Sequence, residues 1–313
     1  MYKLIRFYNQ NRRKIIIIVL VIIFLLLLLQ LFNYLAKTNQ SVENKNIKNQ
    51  ENIQNNNEMI SNKSAVSGKD ISQTKLKNDS DIINEFFEYC NNGDIEKAYN
   101  ILTDECKEEI YSSIENFKNN YYDYVFKGEK KSYTIENWTD NVYQVRITDD
   151  ILSTGKLDTT ETRQDYVSVV DDKLNINSYI KRTKLNKETI ANDVKITVNQ
   201  IDTYMDYEIY SLTIENNSNK TIKLDTNDDT KSVYLLDNND HKYYFYNNEI
   251  NENKLIISSK FKNTLKIKFM SSYGSTKKIQ NLVFSKMILD FDDYKNSENK
   301  EQFKDFYNFK VNI

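Results

Sequence analysis

The chain has 313 residues, with 43 Lys+Arg against 45 Asp+Glu, one histidine, two cysteines, five glycines and no proline. At about 100–200 residues per domain, this length accommodates two modest domains with appendages. The glycines stand apart, which excludes a dinucleotide fingerprint or P-loop, and the few His and Cys exclude zinc fingers, histidine metal centres and a disulfide framework.

Residues 1–14 carry Lys3, Arg6, Arg12, Arg13 and Lys14 and no acid, a charge of +5. Ile15 to Phe32 then reads IIIIVLVIIFLLLLLQLF, with Gln30 alone polar. A helix of about 20 residues crosses the ~30 Å hydrocarbon core. Extension through Tyr34, Leu35 and Ala36 reaches that length and adds an interfacial aromatic. A soluble core helix would show a polar stripe, and none is present. The rival is a cleaved signal peptide, whose apolar run spans about 7–15 residues and ends in a small-x-small site. Here a cut after Ala36 would put bulky Tyr34 three residues before it. Residues 15–36 are therefore read as an uncleaved anchor in membrane lipid. The basic end before it sets the N-terminus in the cytoplasm and everything from Lys37 outside.

Residues 37–78 are rich in Asn, Gln, Ser and Lys with a charge of +3. Their apolar residues are too sparse to offset ordering entropy, so a disordered tether is expected. As a flexible coil it would span about 35–40 Å. Residues 79–313 carry 31 basic and 41 acidic residues, −10 in all. An acidic ectodomain argues against nucleic acid as a partner, because neutralising phosphates needs clustered Lys and Arg.

Asp79 or Ser80 can cap a helix whose apolar positions Ile82, Ile83, Phe86, Phe87 and Cys90 recur at helical spacing. Asn91-Asn92-Gly93 stops it. Asp94 can cap a second helix, with Ile95, Ala98, Tyr99 and Leu102 on one face, and Thr103 opens a third. After Gly128 the period becomes two, giving strands over Lys131–Trp138, Asn141–Asp149, Arg163–Val170 and Lys173–Lys181. Helices followed by a run of antiparallel strands is an α+β pattern.

The stretch IINEFFEYCNNGDIEKAYNILTDECKEEI, followed by SIENFKNNYYDY and four strands, resembles an extracytoplasmic nuclear transport factor 2-like domain. The run NNGDIEKAYNILT carries the likeness most, and it covers residues 79–185. The resemblance implies a cystatin-like roll with a cone-shaped cavity between a curved sheet and the helices. It also implies either a binding or scaffold module, some of them in conjugation machinery, or an isomerase-like enzyme. The cavity lining would then include Tyr124, Tyr133, Trp138 and Tyr143. An enzyme would need a carboxylate of displaced pKa beside a Tyr or second acid, and Asp123, Tyr124, Tyr133 and Asp165 are the groups available.

From Asn186 to residue 291 the pattern is strand-only. It includes VKITVNQIDTYMDYEIYSLTIENNSNKTIKL, a turn at Asn216–Asn219 and a hairpin around Asn238–Asp240. Six or seven short strands predict a β-sandwich. The pair YSLTIENNSNKTIKL and VYLLDNNDHKY is similar to telokin-like, immunoglobulin-like domains of Gram-positive surface proteins, which are adhesion or packing modules. Residues 292–313 form a charged loop and an amphipathic stretch from Phe303 that can add an edge strand. The Asn/Lys/Ile/Tyr bias fits an AT-rich, low-GC genome of a Gram-positive, clostridial kind. An AT-rich eukaryote, the lesser reading, would make Asn137, Asn216 and Asn219 glycosylation candidates.

The remaining candidates read mostly as structure. His241 lies in the turn DNNDHK with no nucleophile context and is expected to be solvated. Cys90 and Cys106 lie on apolar faces of successive helices, which favours two buried thiols. A bridge between them is the alternative that the extracytoplasmic side would permit. Asp225, Asp228, Asp229, Asp237 and Asp240 lack the spacing and glycine of a calcium loop. Half of Tyr243, Tyr244, Phe245 and Tyr246 should face the core, and the exposed remainder offers a partner surface. No catalytic residue, cofactor or metal is implied. The expectation is a membrane-anchored, non-enzymatic scaffold of the cell envelope with protein partners, of the kind found in conjugation or secretion assemblies. The alternative is a surface module holding a small ligand or wall fragment in the cavity.

Overall fold

Ser72, not Asp79, starts the first helix. Its hydroxyl accepts from Lys75 N–H and leads into α1 (Gln73–Asn92), which Gly93 ends in the left-handed region at φ 76° with its N–H on the Cys90 carbonyl. This is the cap that lacks a Cβ penalty. The start moves upstream because Asp79 is occupied inside the helix, where its carboxylate accepts from Lys75 and from Tyr143. The computed structural model describes residues 60–149, 162–226, 231–245, 250–275, 277–297 and 305–313. Among them no helix is long and apolar enough to cross a membrane. The segment 15–36 lies outside the described residues.

Order begins earlier than the polar composition of 37–78 leads one to expect. Lys63 bridges Asp70, and Ala65 and Val66 donate their N–H groups to the Asn137 and Trp138 carbonyls. Ile60 and Ile71 pack on the core of the helical lobe. Residues 60–78 therefore belong to the fold. The two isoleucines and a sheet edge in need of partners provide what composition alone does not show.

After α1 come α2 (Ile95–Ile101), α3 (Asp104–Glu109) and α4 (Ile114–Phe117), which runs through a π turn (Lys118–Tyr122) into α5 (Asp123–Val125). Four antiparallel strands follow in the order β1-β2-β3-β4: β1 (Lys131–Thr139), β2 (Val142–Asp149), β3 (Arg163–Val170) and β4 (Lys173–Asn175). The expected strand over Lys173–Lys181 is broken. Asn177 and Ser178 adopt φ of 59° and 62°, and a new strand starts at Tyr179. Asn and other small polar residues tolerate this left-handed backbone better than most.

That strand, β5 (Tyr179–Ala191), buries Tyr179 in the first core and continues into the second lobe. Residue 186, where the two parts were expected to meet, lies inside it, at a bulge between Lys184 and Lys187. Asn186 takes φ 52° there. Asn192 and Asp193 also have positive φ, as the tight turn into β6 (Val194–Tyr204) requires. The second lobe has one sheet ordered β12-β7-β6-β5, with β7 (Tyr207–Asn216) and β12 (Lys262–Met270). A second is ordered β10-β9-β13-β14, with β9 (Val233–Asp237), β10 (Lys242–Tyr244), β13 (Ile279–Met287) and β14 (Tyr307–Asn312), and a short ribbon pairs β8 (Ile222–Lys223) with β11 (Ile256–Ile257).

Alternation along these strands puts Val194, Ile196 and Val198 opposite Leu282, Phe284, Phe309 and Val311 in one core. Each fully buried aliphatic or Phe side chain contributes about 1.5–3 kcal/mol. The sheets meet along their edges as well, through a bridge between Phe245 and Phe269 and a bond from Asn312 N–H to the Thr189 hydroxyl. The architecture is mixed α+β with mostly antiparallel sheets. Asn137 and Asn216 are each 1% exposed, so two of the three glycosylation candidates are closed to modification. The Asn216 amide donates to the Lys220, Ile257 and Ser258 carbonyls.

Candidate functional site

The space between the helices and the first sheet is filled by the protein's own rings. Phe86 and Phe87 descend from α1, Phe117 and Tyr121 from α4 and the π turn, and Tyr111 and Phe126 close the ends; none is more than 1% exposed. Phe86 meets Phe87 edge-on at 5.4 Å, and Phe117 stacks on Tyr121 at 5.7 Å. Such pairs add about 0.5–1.5 kcal/mol to the burial of their area.

The four residues expected to line a cavity separate into three environments. Tyr133 stacks on Phe87 at 4.4 Å and donates to Asn84; burial pushes its hydroxyl up to about 12. Tyr143 is fully buried and donates to Asp79 at 2.6 Å. Burial first, then that carboxylate, raises its pKa. Tyr124 is 65% exposed under the Arg163 guanidinium. Trp138 lies edge-on to Tyr166 in a separate cluster with Val142, Ile180 and Met205. Two of the four thus pack the core, and two point elsewhere because β-alternation and the helix end carry them away.

Asp165 is buried but not poised as a base. One oxygen accepts from the Tyr166 and Ser178 N–H groups and the other from Asn177 N–H and the Tyr121 hydroxyl. Desolvation raises its pKa, opposed by Arg163 and these donors. Its work is to hold the 177–178 turn. Asp123 is partly exposed and paired with Lys118 at 2.7 Å, so it forms no acid pair with Asp165, whose neighbour is the Tyr121 hydroxyl. Cys90 and Cys106 are buried and free. Burial pushes both thiols up, Cys106 to about 12, which makes them poor nucleophiles.

The described members of the aromatic run in the second lobe, Tyr243, Tyr244 and Phe245, do not form a continuous patch. Phe245 is buried in the core, Tyr243 donates to Asp237 at 2.8 Å and Tyr244 is 42% exposed. Tyr246 lies outside the described residues, as do Asp228 and Asp229. Asp237 instead organises the turn. One oxygen accepts from the Asn239 and His241 N–H groups, the other from Tyr243 and the His241 ring. That leaves no open face for a cation, and no metal-holding group occurs among the described residues.

Desolvation works to raise the Asp237 carboxyl, but the bonds from His241, Asn239 and Tyr243 outweigh it and hold the pKa at about 2. The unfolded value is about 4. A depressed carboxyl contributes stability that is present above the unfolded value and lost as pH falls through the folded one. A carboxyl carbon titration by NMR should give Asp237 a midpoint near 2, and Asp237→Asn should flatten the melting profile below about pH 4. A midpoint at the ordinary carboxylate value would refute this.

The feature that sequence reading missed lies where α3 meets the second sheet. Arg182 on β5 donates to Asp202 at 2.7 Å, Glu108 at 2.6 Å and Glu109 at 3.3 Å. Lys266 on β12 closes the group, 2.7 Å from Glu109. The side chains of Arg182, Glu109 and Asp202 are 6%, 7% and 0% exposed. Tyr179 and Gln200 satisfy the remaining Asp202 positions.

No protein family matches the chain, and no curated protein matches it. Among solved structures it is similar to the crystal structure of the yjhA protein from Bacillus subtilis, at 20% identity over 41% of this chain and 97% of that one, with a TM-score of 0.29. Likeness at that level defines neither fold family nor function.

Proposed function

We propose that the protein is a membrane-anchored, extracytoplasmic scaffold or interaction subunit of the cell envelope, serving an assembly of the conjugation or secretion kind. In this reading residues 15–36 hold it in lipid with the N-terminus in the cytoplasm. The helical lobe is a nuclear transport factor 2-like domain of the cystatin-like roll type, and the second lobe is an immunoglobulin-like sandwich.

The observation that supports a scaffold over a ligand chamber or an enzyme is the ring-filled interior of the helical lobe. Pockets for small molecules are concave, about 300–1,000 Å³, with convergent polar groups. Here Phe86, Phe117 and Tyr121 occupy that position. The test is crosslinking of the native membrane protein, followed by mild-detergent pulldown and mass spectrometry. A reproducible, near-stoichiometric set of envelope proteins is expected. Recovery of a clean monomer or homo-oligomer would count decisively against the scaffold.

A further inference from the structure

The outer face of the sheet β12-β7-β6-β5 holds a cleft of about 580 Å³. Its floor is a cross-strand row, because the bulge after Val198 brings Gln200 opposite Ser211, which in turn pairs with Lys266. The Ser211 hydroxyl is buried there and has no hydrogen-bond partner among the described residues. A buried polar group in that state is unfavourable until something bonds to it.

Three lysines line the cleft, Lys254, Lys266 and Lys268, and no carboxylate among the described residues does. This is a local reversal of sign in a region whose net charge is −10. Glu109 neutralises one of the three and fixes its position, and Lys268 is held 4.0 Å over the Tyr207 ring. Lys254, at the rim beside Asn263, has no side-chain partner among the described residues. Ammonium groups act as point charges suited to phosphate, whereas planar carboxylates favour the arginine fork, which is absent from the lining. The Ser211, Thr264 and Gln200 side chains beside them can bond hydroxyl groups, while Ile209, Leu212, Ile250 and Leu265 give the lining an apolar part against which a carbon chain can lie.

We propose that this cleft binds a phosphate carried on a polyol, with the phosphate between Lys254 and Lys268 and the polyol hydroxyls on Ser211 and its neighbours. The assignment goes beyond the scaffold reading and does not depend on it.

The test is calorimetric titration of the full chain in neutral detergent with glycerol 3-phosphate, inorganic phosphate and glycerol. Saturable binding of glycerol 3-phosphate, tighter than either fragment, is expected. Lys254→Glu should weaken it about tenfold or more and Ser211→Ala by several-fold. Both positions lie away from the cores, and an unchanged melting temperature verifies that each variant is folded. Competition by short-chain phosphatidylglycerol would support the same chemistry with a lipid headgroup as its source, and lack of competition would support a soluble polyol phosphate. No saturation up to about 10 mM, equal affinity for inorganic phosphate, or binding that survives both substitutions would each overturn the proposal.

Discussion

Arg182→Met is expected to destabilise the folded part by about 3–5 kcal/mol, because removing one partner leaves buried charge uncompensated. The guanidinium serves three carboxylates at once, from α3 and from β6. Asp202 would keep Tyr179 and Gln200 as donors but lose the one cation it pairs with among the described residues, with no exposure to water. Glu109 would retain Lys266, which keeps the loss below the full cost of two orphaned charges. For a body of this size, 1 kcal/mol corresponds to about 2–4 °C, so the melting temperature should fall by roughly 6–20 °C. Combining Arg182→Met with Asp202→Asn should restore part of that fall, since the charge left without a cation is then gone. Thermal melting followed by circular dichroism reads both. A loss under about 1 kcal/mol, the ordinary value of an exposed pair, would show that the network is a surface feature.

That network also marks where sequence reading ends. Its ion pairs join residues 20 to 157 positions apart along the chain, and each looks like a solvated charge in its own local pattern. Local signals carried further where one residue sets the backbone. Gly93 ends α1 because the turn requires a left-handed residue, and β1 to β3 follow from the alternation after Gly128. The same alternation shows that part of Tyr243–Tyr246 faces inward, but not that Phe245 is the residue that reaches the core. The helix start at Ser72 was hidden because Asp79 looks like a cap until its bonds to Lys75 and Tyr143 are seen. The cleft was hidden for a related reason. A bulge at Val198 shifts the register of one strand, and no hydrophobic pattern records on which face lysines from separate strands will meet.

The second large effect concerns the filled interior. Phe86→Ala should cost about 3–5 kcal/mol, the transfer energy of the ring plus the cavity left where the surroundings relax only partly. Phe86 is fully buried and touches Phe87, Phe117 and Tyr121 at centroid distances of 5.4, 6.3 and 6.0 Å. Removing it takes away three ring contacts as well as area. An apolar hole of this kind stays dry and accepts a small apolar molecule. Benzene should therefore raise the melting temperature of the variant by mass action and leave the wild-type protein unchanged. This pair of measurements separates a plugged lobe from a ligand chamber. If benzene stabilises the wild type equally, space already exists beneath α1, and the scaffold reading loses its main support. If Phe86→Ala melts within about 1 kcal/mol of the wild type, the ring was not packed as its contacts require. A large loss rescued by benzene in the variant alone would mean that the helical lobe uses its interior for stability, which directs the search for partners to its outer surfaces.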